Sequence, residues 1–122
     1  MIIEWREKLA SLLNCREHWG ARRERTKRQR GNACLRMANA LNDLRITGGR
    51  LPLLPLRIII TRFGPRPLDT DNLSSSAKAV RDGIADSLGI DDGNPAQATW
   101  EYRQEKSRRY LVRVEITGGS RT

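Results

Sequence analysis

Two aspartates separated by one residue, Asp69 and Asp71 in Leu68-Asp69-Thr70-Asp71-Asn72-Leu73, open the stretch of the chain best equipped for chemistry. In extended backbone, side chains at i and i+2 point to the same side, and two hard carboxylate oxygens so placed suit Mg²⁺, with Mn²⁺ as the alternative ion. The pair also has a plain structural use, because Asp71 or Asn72 would serve as the N-cap of a following helix, and taken alone the capping reading is the stronger. An EF-hand is excluded, since Leu73 and Ser74 stand where that loop needs an oxygen ligand and a glycine.

The residues that follow shift the balance. At about 100° per residue, Asp71, Ser75, Lys78 and Asp82 fall within roughly 60° of one another, while Leu73, Ala77, Val80, Ile84 and Leu88 take the opposite face. A lysine in such a row neutralises charge on a phosphate or a leaving oxygen as a point charge. Its bland counterpart is a Lys78–Asp82 surface pair worth about 0.2–0.5 kcal/mol. Further on, Asp91-Asp92-Gly93-Asn94 supplies a second carboxylate pair, in residues that also favour a solvated turn. Acidic clusters are repelled by nucleic acid unless cations bridge them. Two of them flanking one helix of a basic chain point to metal-assisted phosphodiester cleavage.

The charge distribution supplies the other half of that argument. Residues 1–68 carry 15 basic and 5 acidic side chains, and residues 69–122 carry 8 and 9, so the net +9 sits entirely in the first part. Within it, Arg22, Arg23, Arg25, Lys27, Arg28 and Arg30 are offset only by Glu24. A solvated helix face is the plain reading of such a run; contact with a nucleic-acid backbone is the reading favoured here. At 122 residues the chain has room for one core. No apolar run approaches the length of a bilayer span and Met1 is not followed by a signal-peptide core, so a cytoplasmic protein without membrane contact is expected. Cys15 and Cys34 have no C-x-x-C spacing, which argues for reduced thiols over a zinc site or a disulfide framework. His18 reads as a packed or solvated histidine before a general base. Trp5, Trp19 and Trp100 could stack on bases but read first as core.

The elements that must position these groups follow from periodicity and punctuation. A short strand is expected over 2–6 and one continuous helix over 19–44, anchored by Ala33, Met37, Ala40, Leu41 and Leu44 and displaying positive charge at its other end. Thr47-Gly48-Gly49 stops it. A buried strand over 56–63 and a helix over 72–88 come next, the latter ended by Gly89 in the left-handed position. Strands over 99–103 and 110–117 read as an antiparallel pair joined by a charged turn. The order is β-α-β-α-β-β, an α+β fold with helices packed on a mixed sheet.

The pattern Asp69-x-Asp71-Asn72-Leu73, Ala77-Lys78-Ala79-Val80-Arg81-Asp82, Leu88-Gly89-Ile90-Asp91-Asp92 resembles the RusA-like family of Holliday-junction resolvases of bacteria and their phages. The resemblance covers residues 53–117, the expected catalytic core, with residues 1–50 as the DNA-contacting segment; Leu12-Leu13-Asn14 and the basic run match only loosely. It implies one nuclease domain over 1–122, a homodimer, branched DNA as partner and no small-molecule cofactor. It implies Asp69, Asp71 and Asp92 as magnesium ligands with Asp91 in support, Lys78 as the catalytic cation, and Asn72, Ser75 and Asp82 as supporting residues. The departure is Ser74-Ser75-Ser76, three residues more than the family places before its lysine. They shift Lys78 by about 4.5 Å along a helix, and Ser75 can take its place. A straight helix over 72–88 spans roughly 25 Å, so Asp92 meets the D-x-D either because the serines are non-helical or across a second subunit.

Overall fold

The computed structural model describes residues 1–10 and 19–118. Cys15, His18 and Leu12-Leu13-Asn14 lie outside the described residues, as does the side chain of Trp19. The elements are β1 (Ile2–Arg6), α1 (Trp19–Ile46), β2 (Leu56–Gly64), α2 (Thr70–Leu88), β3 (Ala98–Lys106) and β4 (Leu111–Gly118). Their order is the expected β-α-β-α-β-β, and the class is α+β with a mixed sheet.

The pairing of the last two strands differs from expectation. The sheet runs β1-β4-β2-β3, with β3 parallel to β2 and β4 antiparallel to both β2 and β1, so β3 and β4 flank β2 and do not form a hairpin. The cause is β2 itself. Its alternate residues Ile58 and Ile60 face one way, Ile59 and Phe63 the other, and all four are buried. A strand apolar on both faces is most stable in the middle of a sheet with a neighbour on each side. Reaching the parallel position from β2 takes a crossover, and α2 is that crossover.

On one face of the sheet, Trp5, Ile58, Ile60, Ala98, Val112, Val114 and Ile116 form a single cluster with Ala33 and Met37 of α1 and Ala77, Val80 and Ile84 of α2. The apolar stripe read on α2 is thus the core stripe, with Leu88 packed at its margin. On the other face, Ile59, Thr61 and Phe63 are covered by long side chains: Arg113 lies 4.7 Å from the Phe63 ring, and Arg57 pairs with Glu101 at 2.8 Å. The helices approach closely at Gly83, where a Cβ would collide with the Arg30 carbonyl and stand 2.8 Å from the Ala33 Cβ. α2 begins two residues earlier than expected, with Asp69 as its N-cap in place of Asp71 or Asn72, and includes all three serines. Ser76 is buried and donates to the Leu73 carbonyl at 2.8 Å, which accommodates a hydroxyl inside the helix. Gly89 closes α2 at φ 68°, as expected.

Candidate functional site

Two contacts hold the D-x-D segment. The Gln104 side-chain amide of β3 accepts from the Leu68 N–H at 2.8 Å and donates to the Leu68 carbonyl at 2.6 Å, fastening the residue before Asp69 to the sheet. Asp69 then accepts from the Asn72 N–H through Oδ1 at 2.9 Å. This capping bond commits one of its oxygens, and Asn72 itself is buried. Asp71, exposed in the first helical turn, has no side-chain hydrogen bond among the described residues. Both carboxylates stand where the α2 dipole favours negative charge.

Along the polar face of α2, Ser74, Ser75, Lys78 and Arg81 line a cleft of about 380 Å³ that is completed by Asp92 and Tyr102. The Lys78 ammonium is largely exposed, 3.4 Å from the Asp82 carboxylate. Asp82 also stands 4.0 Å from Arg30 of α1 and lines a second cleft, about 440 Å³, with Arg22, Arg23, Thr26, Lys27 and Arg30. Of the six basic residues expected to meet DNA, Arg23, Lys27 and Arg28 are exposed, and Arg22 and Arg25 are half-buried. Arg30 is turned onto α2, where it forms a bidentate pair with Asp86 at 2.7 and 2.9 Å. The Arg30 guanidinium holds the Asp86 carboxyl below the usual carboxylate range.

The Asp91–Asp92 turn folds back along α2 as far as the cleft that Asp92 shares with Ser74, Ser75 and Lys78, but among the described residues it forms no three-carboxylate cluster with the D-x-D. Asp91 accepts from the Gly93 N–H within the turn at 3.0 Å. Asp92 is bound by Arg81, whose Nε donates to Oδ2 at 2.9 Å and whose Nη2 donates to the Asp92 carbonyl at 2.6 Å. Burial opposes the charge of Arg81, but Tyr102 and Asp92 more than offset it and hold its pKa above the ordinary arginine value. The sequence carries no sign of Arg81, Tyr102 and Gln104 as site residues, because a polar residue on a helix or strand bears no local mark of a contact made eleven to thirty-six positions away.

The donor set suits a hard cation in its chemistry but only in part in its placement. Among the described residues, no three His, Cys, Asp or Glu side chains come together closely enough to hold a metal ion. Asp69, Asp71, Asp91 and Asp92 thus form no single cage within one chain. The Asp71 carboxylate and one oxygen of Asp69 carry no hydrogen bond among the described residues and are of the type Mg²⁺ takes, with waters and substrate phosphates completing its shell. The extended D-x-D expected to point both carboxylates to one side is not observed, however, because α2 begins at Thr70: Asp69 caps the helix and Asp71 lies in its first turn. No helix among the described residues is long and apolar enough to cross a membrane. Cys34 is a free thiol. Comparison with protein-family models, with curated proteins and with solved structures found no match to this chain.

Proposed function

We propose that the protein is a metal-dependent, structure-specific endodeoxyribonuclease that cuts branched DNA such as Holliday junctions, acting as a C₂ homodimer in the cytoplasm of a bacterium or as a phage-encoded enzyme. The observation that carries this reading is the continuity of one polar surface. The row Asp71, Ser75, Lys78 on α2 runs into Asp82, and Asp82 also lines the basic cleft on α1. A DNA backbone seated on Arg23 and Lys27 is led along α2 toward Lys78 and the D-x-D.

In this scheme Lys78 and the Ser74 and Ser75 hydroxyls bind and orient the phosphate, and Asp69 and Asp71 hold the cation. A Mg²⁺ ion held by Asp69 and Asp71 would supply Lewis acidity at the phosphodiester and lower the pKa of a water for hydrolysis. Substrate choice rests on shape and backbone charge, since phosphate contacts position DNA without reading its sequence. The continuous α2 helix removes the arrangement in which the serines unwind to let Asp92 approach. Two arrangements are then open to the carboxylate set: the Arg81–Asp92 contact opens within one chain, or a second copy supplies Asp92.

The test is cleavage of labelled four-way junction, flap, duplex and RNA by the wild type and Asp71→Asn, in Mg²⁺, Mn²⁺ or EDTA. Junction cleavage by the wild type in Mg²⁺, lost with EDTA and in Asp71→Asn, is expected; a wild type that cuts nothing under any metal rejects the enzyme reading. A second reading, a nucleic-acid-binding protein without catalysis, is favoured by one observation: Asp92 is already neutralised by Arg81 within the chain. On that reading Asp71→Asn binds junctions as the wild type does and neither protein cuts them.

A further inference from the structure

Arg81 makes more specific contacts than any other side chain of the cleft. Its Nε and Nη2 donate to Oδ2 and to the carbonyl of Asp92 at 2.9 and 2.6 Å, and its Nη1 donates to the Tyr102 hydroxyl at 2.9 Å. The guanidinium lies 4.9 Å from the centre of the Trp100 ring, and the Trp100 indole N–H donates to the same Asp92 carbonyl at 3.0 Å. Arg81 of α2 and Trp100 of β3 thus converge on Asp92, and Tyr102 of β3 holds Arg81 from its other side. Elsewhere in this turn the bonds are internal or run to Gln97: Gly93 donates to Asp91, Ala96 donates to Asn94, and the Asp91 N–H donates to Gln97.

A surface ion pair would not need this construction. An exposed arginine pairs through a mobile side chain and contributes little. Here stacking on an indole and a phenolic hydrogen bond restrict the guanidinium before Asp92 is reached, and the planar fork meets a carbonyl and a carboxylate oxygen together. Because Oδ2 is taken by Arg81, the orientation of the carboxylate is set, and Oδ1 has no hydrogen-bond partner among the described residues. Asp92 and Arg81 both line the cleft that contains Ser74, Ser75 and Lys78.

We propose that Arg81 is a positioning residue: braced by Trp100 and Tyr102, it fixes Asp92 so that one carboxylate oxygen faces the cleft beside Lys78, Ser74 and Ser75, where the lysine and the hydroxyls seat a backbone phosphodiester of nucleic acid and the carboxylate meets it only through a bridging cation. The proposal rests on the nuclease reading for its catalytic consequence, and on the Arg81 geometry alone for its structural one.

The experiment compares wild type, Arg81→Lys and Tyr102→Phe. Lysine keeps the charge but its three donors diverge from one nitrogen and cannot reproduce the planar fork that reaches Asp92 and Tyr102 together; Tyr102→Phe deletes a single hydrogen bond and guards against a variant that fails to fold. The first readout is the ¹⁵N–¹H resonance of the Trp100 indole, identified by its disappearance in Trp100→Phe, because that N–H reports directly on the Asp92 carbonyl. The second is the kcat and KM of four-way-junction cleavage in Mg²⁺. The expected result is a displaced indole resonance in Arg81→Lys, a smaller displacement in the same direction in Tyr102→Phe, and a kcat lowered by about 10- to 100-fold in Arg81→Lys with KM little changed. An indole resonance that stays in place in both variants overturns the proposal. So does a displaced resonance accompanied by unchanged kcat in a protein whose wild type cuts, since that is the mark of a merely structural contact. A wild type that cuts nothing rejects the nuclease reading separately, and the indole resonance then decides alone whether Arg81 fixes the turn.

Discussion

Asp69 has two uses that a single substitution can separate. Its Oδ1 caps α2 by accepting from the Asn72 N–H, and its other oxygen is available to a cation. Asparagine caps a helix about as well as aspartate, whereas alanine forfeits about 0.5–2 kcal/mol. Asp69→Asn is therefore expected to melt close to the wild type and to lose junction cleavage, and Asp69→Ala to lose both stability and cleavage, as measured by thermal unfolding beside the cleavage assay. Equal cleavage by Asp69→Asn and wild type would leave Asp69 as a cap alone. The same division applies to the serines. Ser76 is buried and bonded inside the helix, while Ser74 and Ser75 face the cleft, so of the three only the first two are placed to touch a ligand.

At the scale of the elements, α2 was legible almost in full, because its apolar and polar rows have the 3.6-residue period and its end carries Gly89. Its start was not, since Asp69, Asp71 and Asn72 are all good caps and only the Gln104 clamp on Leu68 decides among them. Strand existence was legible from alternation, but strand partnership was not: Val112, Val114 and Ile116 announce a buried face without saying which strand lies beside them. The burial of both faces of β2 was the available sign that it takes the middle. The contact between α1 and α2 is testable at two points. Gly83→Ala pushes a Cβ into the Arg30 carbonyl and Ala33, and is expected to cost about 1–3 kcal/mol by denaturant unfolding. Asp86 contributes differently. Its carboxyl is held below the usual range by Arg30, so its stabilisation is present above the ordinary aspartate pKa and fades as pH falls through the lower folded value. Asp86→Asn should thus melt slightly below wild type at neutral pH, with the gap closing in strong acid and shrinking with salt, because the pair is about half exposed.

Across the whole molecule, the charge division at residue 68 becomes a spatial one, with exposed Arg23, Lys27 and Arg28 on α1 beside a near-neutral second part that holds the carboxylates. If these three residues meet phosphates, their joint replacement by alanine lowers the slope of log affinity for junction DNA against log salt by about one per residue. The carboxylates raise a different question, because within one chain Asp92 is bound by Arg81 and no three carboxylates come together among the described residues. In a C₂ dimer whose sites each combine the D-x-D of one copy with Asp92 of the other, Asp71→Asn and Asp92→Asn homodimers are both inactive. Mixing them, however, creates a heterodimer in which one site has lost both groups and the other has lost neither. Random exchange makes about half of the dimers mixed, each with one intact site of two, so about a quarter of the wild-type sites return. The product also changes: a single intact site nicks one strand of a junction, where two symmetric sites make paired cuts. Single nicks from the mixture, with none from either parent, are the expected outcome. A mixture as inactive as its parents, under conditions where subunit exchange is shown by mass spectrometry, places Asp71 and Asp92 in the same chain's site and requires the Arg81–Asp92 contact to open before cleavage.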